Sequence, residues 1–312
     1  MKYRRLGRTG FKVSEISLGT VEIGMPYGIA ENGRVPVFDE TSAALLLNDA
    51  LDRGINFVDT ARAYGESEAI IGRALRRRRR EFVLASKVLS RHGQNLDVHQ
   101  MRELTVASVN ESLRLLQTDC IDLMMIHCAA TEILPNGHVF EVLTEIKNQG
   151  RIGTIGASVY GEEAAIAAIE HGGFDCLQIA YNILDRRPES KVFALAEQRE
   201  VGLVARSVLL KGALTSRYRH LPVALSELKT AIERMEMVAA REQMSLPELA
   251  YRYVLSHPLP QTALAGTGSV DELAEVIEFA TRGVLSEDLI AEIPTIPTPD
   301  AYSLNPGNWP VN

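Results

Sequence analysis

Residues 41–60, TSAALLLNDALDRGINFVDT, hold the pattern that decides the fold. Apolar residues recur at three- and four-residue spacing through Thr41–Arg53, which predicts an amphipathic helix. Gly54 follows, the residue type expected just past a helix C-terminus. A short run of strand formers then covers Asn56–Thr60. The same alternation runs almost from end to end. Strands are expected at Glu15–Leu18, Asn56–Thr60, Phe82–Val88, Ile121–His127, Thr154–Val159, Cys176–Asn182, Gly202–Val208 and Thr262–Thr267. Helical patterns such as Met101–Gln117 and Val139–Asn148 lie between them, and Gly150 and Gly172 mark further helix ends. Strands alternating with helices predict an α/β protein with a parallel sheet, and eight strands close into a (β/α)8 TIM barrel. The rival is a doubly wound open sheet, which usually carries GxGxxG in its first strand–helix turn. Here that turn is GTVEIG (Gly19–Gly24), without the spacing.

The ends fit around this unit. Lys2–Ser14 reads as a small N-terminal β-hairpin turning at Gly7–Gly10. Beyond Ile293 the chain is rich in Pro and Asn, holds the only tryptophan, Trp309, and reads as an extended C-terminal tail lying on the barrel. With no internal repeat or linker, residues 1–312 are expected to form one barrel domain.

Composition narrows the function classes. Of 312 residues, 46 % are hydrophobic and 23 % charged, which excludes disordered and collagen-like chains. Lys plus Arg number 33 against 40 Asp plus Glu, a net charge of −7 that argues against nucleic-acid or anionic-membrane partners. The three cysteines, Cys120, Cys128 and Cys176, share no CxxC spacing, so no zinc cluster or disulfide framework is indicated. With no apolar leader and no long uncharged apolar stretch, a cytoplasmic protein is expected. The Arg76–Arg80 run falls between a helix and a strand start, and reads as a solvated helix end.

Two long connections without helical period stand out, 21–38 after the first strand and 211–225 after the seventh. Loops of this length are uncommon unless functional, and loops after barrel strands build the active-site face. Four polar groups also fall at strand ends: Asp59, Lys87, His127, and Tyr64 five residues past Asp59. Each alone has a bland account as a cap, a snorkelling chain, a core imidazole or packing. Together they make a chemical set. A phenol near pKa 10 is a poor proton donor or acceptor at neutral pH unless its phenolate is stabilised. A Lys ammonium does that, a carboxylate keeps the Lys charged and oriented, and a neutral imidazole can hydrogen-bond a substrate oxygen. The set suits protonation of a carbonyl oxygen while another group delivers hydride. No metal-ligand cluster is indicated.

The residues that carry a family resemblance are Asn56–Ala61 with Tyr64-Gly65 and Ser67-Glu68, Ser86-Lys87, Ile126-His127, Ile155–Ser158, Gln178–Asn182, Gly266–Ser269 and Asp271–Leu273, with Tyr3–Gly10 at the start. On these motifs the chain resembles the aldo-keto reductase family in its bacterial type. The resemblance implies a barrel that uses NAD(P)H without a Rossmann domain. It assigns Tyr64 as general acid/base, Lys87 as the group lowering its pKa, Asp59 as the partner of Lys87, and His127 as the orienter of the carbonyl. Ser158 and Gln178 match positions that hold the nicotinamide carboxamide. Ser207 and Leu209 match the pyrophosphate side, and Gly266, Thr267, Gly268, Ser269, Glu272 and Glu275 the adenosine end. Gly19, Thr20 and Asp59 complete the expected cofactor contacts.

Two departures matter. Where the family often has Ser-Asn the chain has Ser158-Val159, and Arg206 takes the place of the aromatic ring that stacks on the nicotinamide. A guanidinium can also stack on a ring face. From Thr262 to Thr281 there is no basic residue, while Asp271, Glu272, Glu275 and Glu278 are acidic, which favours NAD(H) over NADP(H). The expected activity is hydride transfer between the nicotinamide and a carbonyl or alcohol, on an aldehyde, ketone or sugar hemiacetal. A cofactor-binding regulatory subunit with little turnover is the alternative, and a Schiff-base aldolase using Lys87 a third. Specificity would lie in loops 21–38, 128–137 and 211–224, whose polar side chains suit a sugar-like small molecule.

Overall fold

The computed structural model describes residues 1–31, 35–89, 96–129 and 138–310. Asn32, Arg34 and most of the 128–137 loop therefore lie outside the described residues. Tyr3–Arg5 (β1) and Lys12–Ser14 (β2) pair antiparallel as the expected hairpin. Eight parallel strands then close a barrel: Ile16–Gly19 (β3), Phe57–Asp59 (β4), Val83–Leu89 (β5), Ile121–Ala129 (β6), Ile152–Val159 (β7), Cys176–Ala180 (β8), Gly202–Arg206 (β9) and Thr262–Gly266 (β10). Closure is made by β10 pairing β3, with Gly266 opposite Gly19.

The helices are Val21–Gly24 (α1), Glu40–Asp52 (α2), Ser67–Leu75 (α3), Val98–Leu116 (α4), His138–Asn148 (α5), Glu162–His171 (α6), Val192–Gln198 (α7), Ser226–Arg241 (α8), Leu246–Ser256 (α9), Val270–Thr281 (α10) and Glu287–Glu292 (α11). Among the described residues none is long and apolar enough to cross a membrane. Their starts follow capping chemistry. Asp39 accepts from the Ser42 N–H at 2.8 Å, and Asp97 forms a capping box with Gln100, so α4 begins three residues before the apolar period becomes clear.

Two apolar layers hold the barrel. Between sheet and helices lies a continuous shell, and inside the strands a second core joins Phe57, Ala85, Leu123, Met125, Cys176 and Val204. Leu6 and Val13 of the hairpin belong to this inner core, so the hairpin plugs the N-terminal end. Strands buried on both faces read as near-continuous apolar runs, which is why they are visible in the sequence.

The arginine run forms a 3-10 turn, Arg76–Glu81, at the start of β5 and away from the strand C-termini. Arg79 pairs with Asp122 at 2.7 Å and Arg78 with Asp52 at 2.8 Å, as a charged helix end would. Both loop expectations need correction: 211–225 carries 3-10 turns at Leu210–Gly212, Ser216–His220 and Val223–Leu225. Residues 21–38 are not wholly irregular, because Val21–Gly24 turns helically. The tail carries short 3-10 turns at Ile293–Thr295 and Pro306–Asn308. It is held by Arg186, which donates to the Ile296 carbonyl and to Thr298. Trp309 is buried, its indole N–H donating to the Ser303 carbonyl at 2.8 Å.

Candidate active site

Parallel register brings the C-terminal ends of β3, β4, β5 and β6 side by side, with Asp59 opposite Gly19 and Ala85, and His127 opposite Leu89. Alternation along β5 turns Lys87 inward, where it is buried. Its ammonium donates to both Asp59 oxygens, at 2.6 and 2.8 Å, to the Thr60 carbonyl at 2.9 Å, and to the Tyr64 hydroxyl at 3.3 Å. Such an arrangement satisfies a charge that would otherwise be costly to bury. Gln178 donates to Asp59 Oδ1 at 2.8 Å and accepts from Ser158 Oγ at 3.5 Å. The imidazole of His127 meets the Tyr64 ring edge-on, centroids 5.8 Å apart.

Tyr64 sits on a turn, and its position is set by close backbone packing. A Cβ at Gly24 would lie 2.0 Å from the Tyr64 carbonyl oxygen, and one at Gly65, where φ is +53°, 2.3 Å from the Gly24 oxygen. Any side chain at either place would push the tyrosine out of line. Thr20, Ser67 and Thr60 tie the same turn to the strand ends. Thr20 Oγ1 donates to the Asp59 carbonyl at 2.8 Å, and Ser67 Oγ donates to Thr20 at 2.7 Å. The Thr20 hydroxyl, expected at the cofactor, is thus committed to the scaffold.

Burial raises the Tyr64 pKa and outweighs the opposing pull of Lys87, so the phenol lies above its ordinary value and is protonated at neutral pH. Burial works against the Lys87 ammonium as well, but Asp59 prevails and holds it charged. His127 is driven down to about 3 by burial, with Lys87 and Arg206 adding repulsion. It is a neutral imidazole across the working range. In a histidine NMR titration the His127 ring shifts should stay flat from pH 5 to 9, and a midpoint above pH 5 would contradict this environment.

These groups form the floor of a cavity of about 420 Å³. Of the expected cofactor residues, Gly19, Thr20, Asp59, Ser158, Gln178, Arg206, Ser207, Leu209, Gly266, Thr267, Glu272 and Glu275 line it. Gly268 and Ser269 stand behind the wall. Gly268 lies against the Phe38 ring, where a Cβ would come within 2.1 Å, and Ser269 caps α10 through the Glu272 N–H. Thr267 Oγ1 donates to Glu272 and so orients that carboxylate. Arg206, expected to stack on the nicotinamide, lies with its guanidinium carbon 3.8 Å from the centroid of the Tyr160 ring. It also donates to the Val159 carbonyl and to Ser207, each at 3.1 Å. Ser207, Leu210 and Lys211 adopt left-handed φ of +60°, +47° and +58°. Such backbone costs on the order of 1 kcal/mol per residue and clusters at functional sites.

Glu22 is a wall residue that sequence reading missed, as are Tyr160, Tyr251 and Phe279. Burial pushes its carboxyl up to about 7, Glu272 adds to this, and Arg217 opposes it. It lies on the flagged loop, but its partner Glu272 is far along the chain and no spacing links them. Arg217 also reaches Glu31 at 3.3 Å, joining the two long loops.

The donor set fits a nicotinamide dinucleotide. The Ser158 hydroxyl and Gln178 amide suit a carboxamide beside Tyr64, Arg217 and the Ser216 hydroxyl suit phosphates, and the carboxylates of Glu272 and Glu275 suit ribose hydroxyls.

The chain belongs to the aldo/keto reductase family, whose profile matches residues 15–296. It is 30% identical to the aldo-keto reductase YhdN of Bacillus subtilis (strain 168), over 92% of this chain and 91% of that protein. Identity to the NADH-specific methylglyoxal reductase of Escherichia coli (strain K12) is 29%, over 88% and 92%. The holo form of aldo-keto reductase AKR11C1 from Bacillus halodurans shares the fold with a TM-score of 0.77 at 28% identity, covering 95% of this chain and 96% of that one. The family makes the protein an oxidoreductase that uses a nicotinamide cofactor on small carbonyl compounds.

Proposed function

We propose that the protein interconverts a carbonyl and its alcohol, with Tyr64 exchanging the proton at the substrate oxygen. The observation that carries this is the Lys87 ammonium held between Asp59 and the Tyr64 hydroxyl at the cavity floor. A phenol kept protonated by burial can give its proton to an oxygen that is becoming an alkoxide, and Lys87 stabilises the phenolate left behind. His127, neutral and edge-on to Tyr64, is placed to direct a carbonyl oxygen toward the phenol. The bound nicotinamide supplies or takes the hydride. Assays with NADH and NADPH on aldehydes, ketones and sugars, run in both directions, test the reading; no coenzyme oxidation or reduction with any of them would reject it.

The coenzyme end supports NAD(H). Glu272, oriented by Thr267, stands near Glu22 and Glu275, and residues 262–281 contain no Lys, Arg or His. Carboxylates there accept from ribose hydroxyls and repel a 2′-phosphate of charge near −2. A relative bears the name NADH-specific methylglyoxal reductase, in line with this preference. The kcat/KM for NADH should exceed that for NADPH by about tenfold or more, taking one unfavourable charge contact as roughly 1.4 kcal/mol. Glu272→Arg should narrow or reverse the ratio. A tenfold preference of the wild type for NADPH would refute it.

A further inference from the structure

The cavity wall carries both acids and cations. Glu22, Glu272 and Glu275 line it, and Arg217 is paired with Glu31. Arg206 lies close enough to Tyr64, His127 and Tyr27 to act on the charge of all three. Lys211 lines the same cavity, its ammonium 5.8 Å from the Tyr27 ring centroid and 6.0 Å from that of Trp309. No described carboxylate lies within ion-pair distance of Arg206 or Lys211. The hydrogen bonds of Arg206, to Val159 and Ser207, use one each of Nη1 and Nη2, so its fork retains donors. Asp59 already balances Lys87, and His127 is neutral, so these two cations leave the catalytic mouth positive.

We propose that the carbonyl substrate carries an anionic group, a carboxylate or a phosphate, bound by Arg206 and Lys211 beside the Tyr27 and Tyr160 rings that line the cavity. This rests on Tyr64 being the group that protonates the carbonyl. Arg206 is braced on the Tyr160 ring and on a main-chain carbonyl, so its planar fork is pre-oriented for a bidentate anion. Lys211 adds a point charge from the connection that follows Arg206, its ammonium near the Tyr27 and Trp309 rings. Arg217 lies beside Gly28 and Gly212 and is already paired with Glu31, whereas Arg206 and Lys211 have no such carboxylate partner among the described residues.

The test compares matched aldehydes with NADH: 4-oxobutanoate against butanal, and glyceraldehyde 3-phosphate against glyceraldehyde. A charge-assisted contact contributes about tenfold or more, so kcat/KM should favour the anionic member of at least one pair by about 10–100-fold. The pair with the larger ratio identifies carboxylate or phosphate. Lys211→Met should cut that ratio about tenfold, Lys211→Arg should restore most of it, and added salt should lower it. Ratios near or below one for both pairs, or a ratio unmoved in Lys211→Met, overturn the proposal. So does a Lys211→Met variant that weakens NADH binding instead, because the cation would then serve the coenzyme. If no aldehyde is turned over, the Tyr64 reading fails and the anion site is read by binding. Trp309 is the sole tryptophan, and its fluorescence should change saturably as succinate or inorganic phosphate is added to the protein with NAD⁺, and not in Lys211→Met. No saturable change in wild type overturns the proposal on its own.

Discussion

Replacing Tyr64 with Phe lowers turnover by at least about a hundredfold while coenzyme affinity stays near that of the wild type. The ring remains to pack edge-on against His127, and the close backbone packing of Gly24 and Gly65 at the turn is untouched, so the turn keeps its place. What is lost is the hydroxyl that lies 3.3 Å from the Lys87 ammonium, the group assigned to the proton transfer. General acid–base catalysis is worth about 10²–10⁴ in rate, which sets the expected range. Steady-state kcat with the best aldehyde, alongside a fluorescence titration with NADH, measures both quantities. A Tyr64→Phe enzyme that keeps more than about a tenth of its activity would remove Tyr64 from the chemistry.

Lys87→Met is expected to fail in two separable ways. Lys87 pulls the phenol pKa down against burial, so without it the Tyr64 pKa rises further. Reduction needs the protonated phenol, and that form is lost as pH climbs through its pKa. The basic limb of the pH–rate profile therefore moves to higher pH, while the rate below it drops because a less stabilised phenolate makes a weaker acid. The second effect is on stability. Removing the ammonium leaves Asp59 buried with only the Gln178 amide among its described side-chain partners. Breaking a buried ion pair from one side costs about 3–5 kcal/mol, visible as a lower urea midpoint. A variant with wild-type rate, an unmoved basic limb and an unchanged midpoint would mean the pair is neither catalytic support nor structural.

The fold was legible in the amino-acid sequence because its signals are local. Parallel strands buried on both faces write apolar runs, helices write a 3.6-residue period, and both recur often enough here to count eight units. The cluster proposed to be catalytic was legible for a related reason. Asp59, Lys87 and His127 are polar groups at the ends of apolar strands, and Tyr64 lies on the turn a few residues beyond one of them. Helix starts were less visible where a cap precedes the apolar period, as at Asp97.

What tertiary structure decided are contacts between residues far apart in the chain. Glu22 meets Glu272 only because β3 and β10 are adjacent in the closed barrel, and no spacing in the sequence links them. Closure likewise sets Gly268 against Phe38, commits the Thr20 hydroxyl to Asp59 and Ser67, and lays Arg206 on Tyr160. It also brings Trp309, near the end of the tail, within 6.0 Å of Lys211. The sequence determined the barrel and which side chains stand at its rim, since backbone period and burial follow from residue type. Which rim groups face one another, and with what charge, was decided by closure of the barrel, because side-chain electrostatics depend on distance through space.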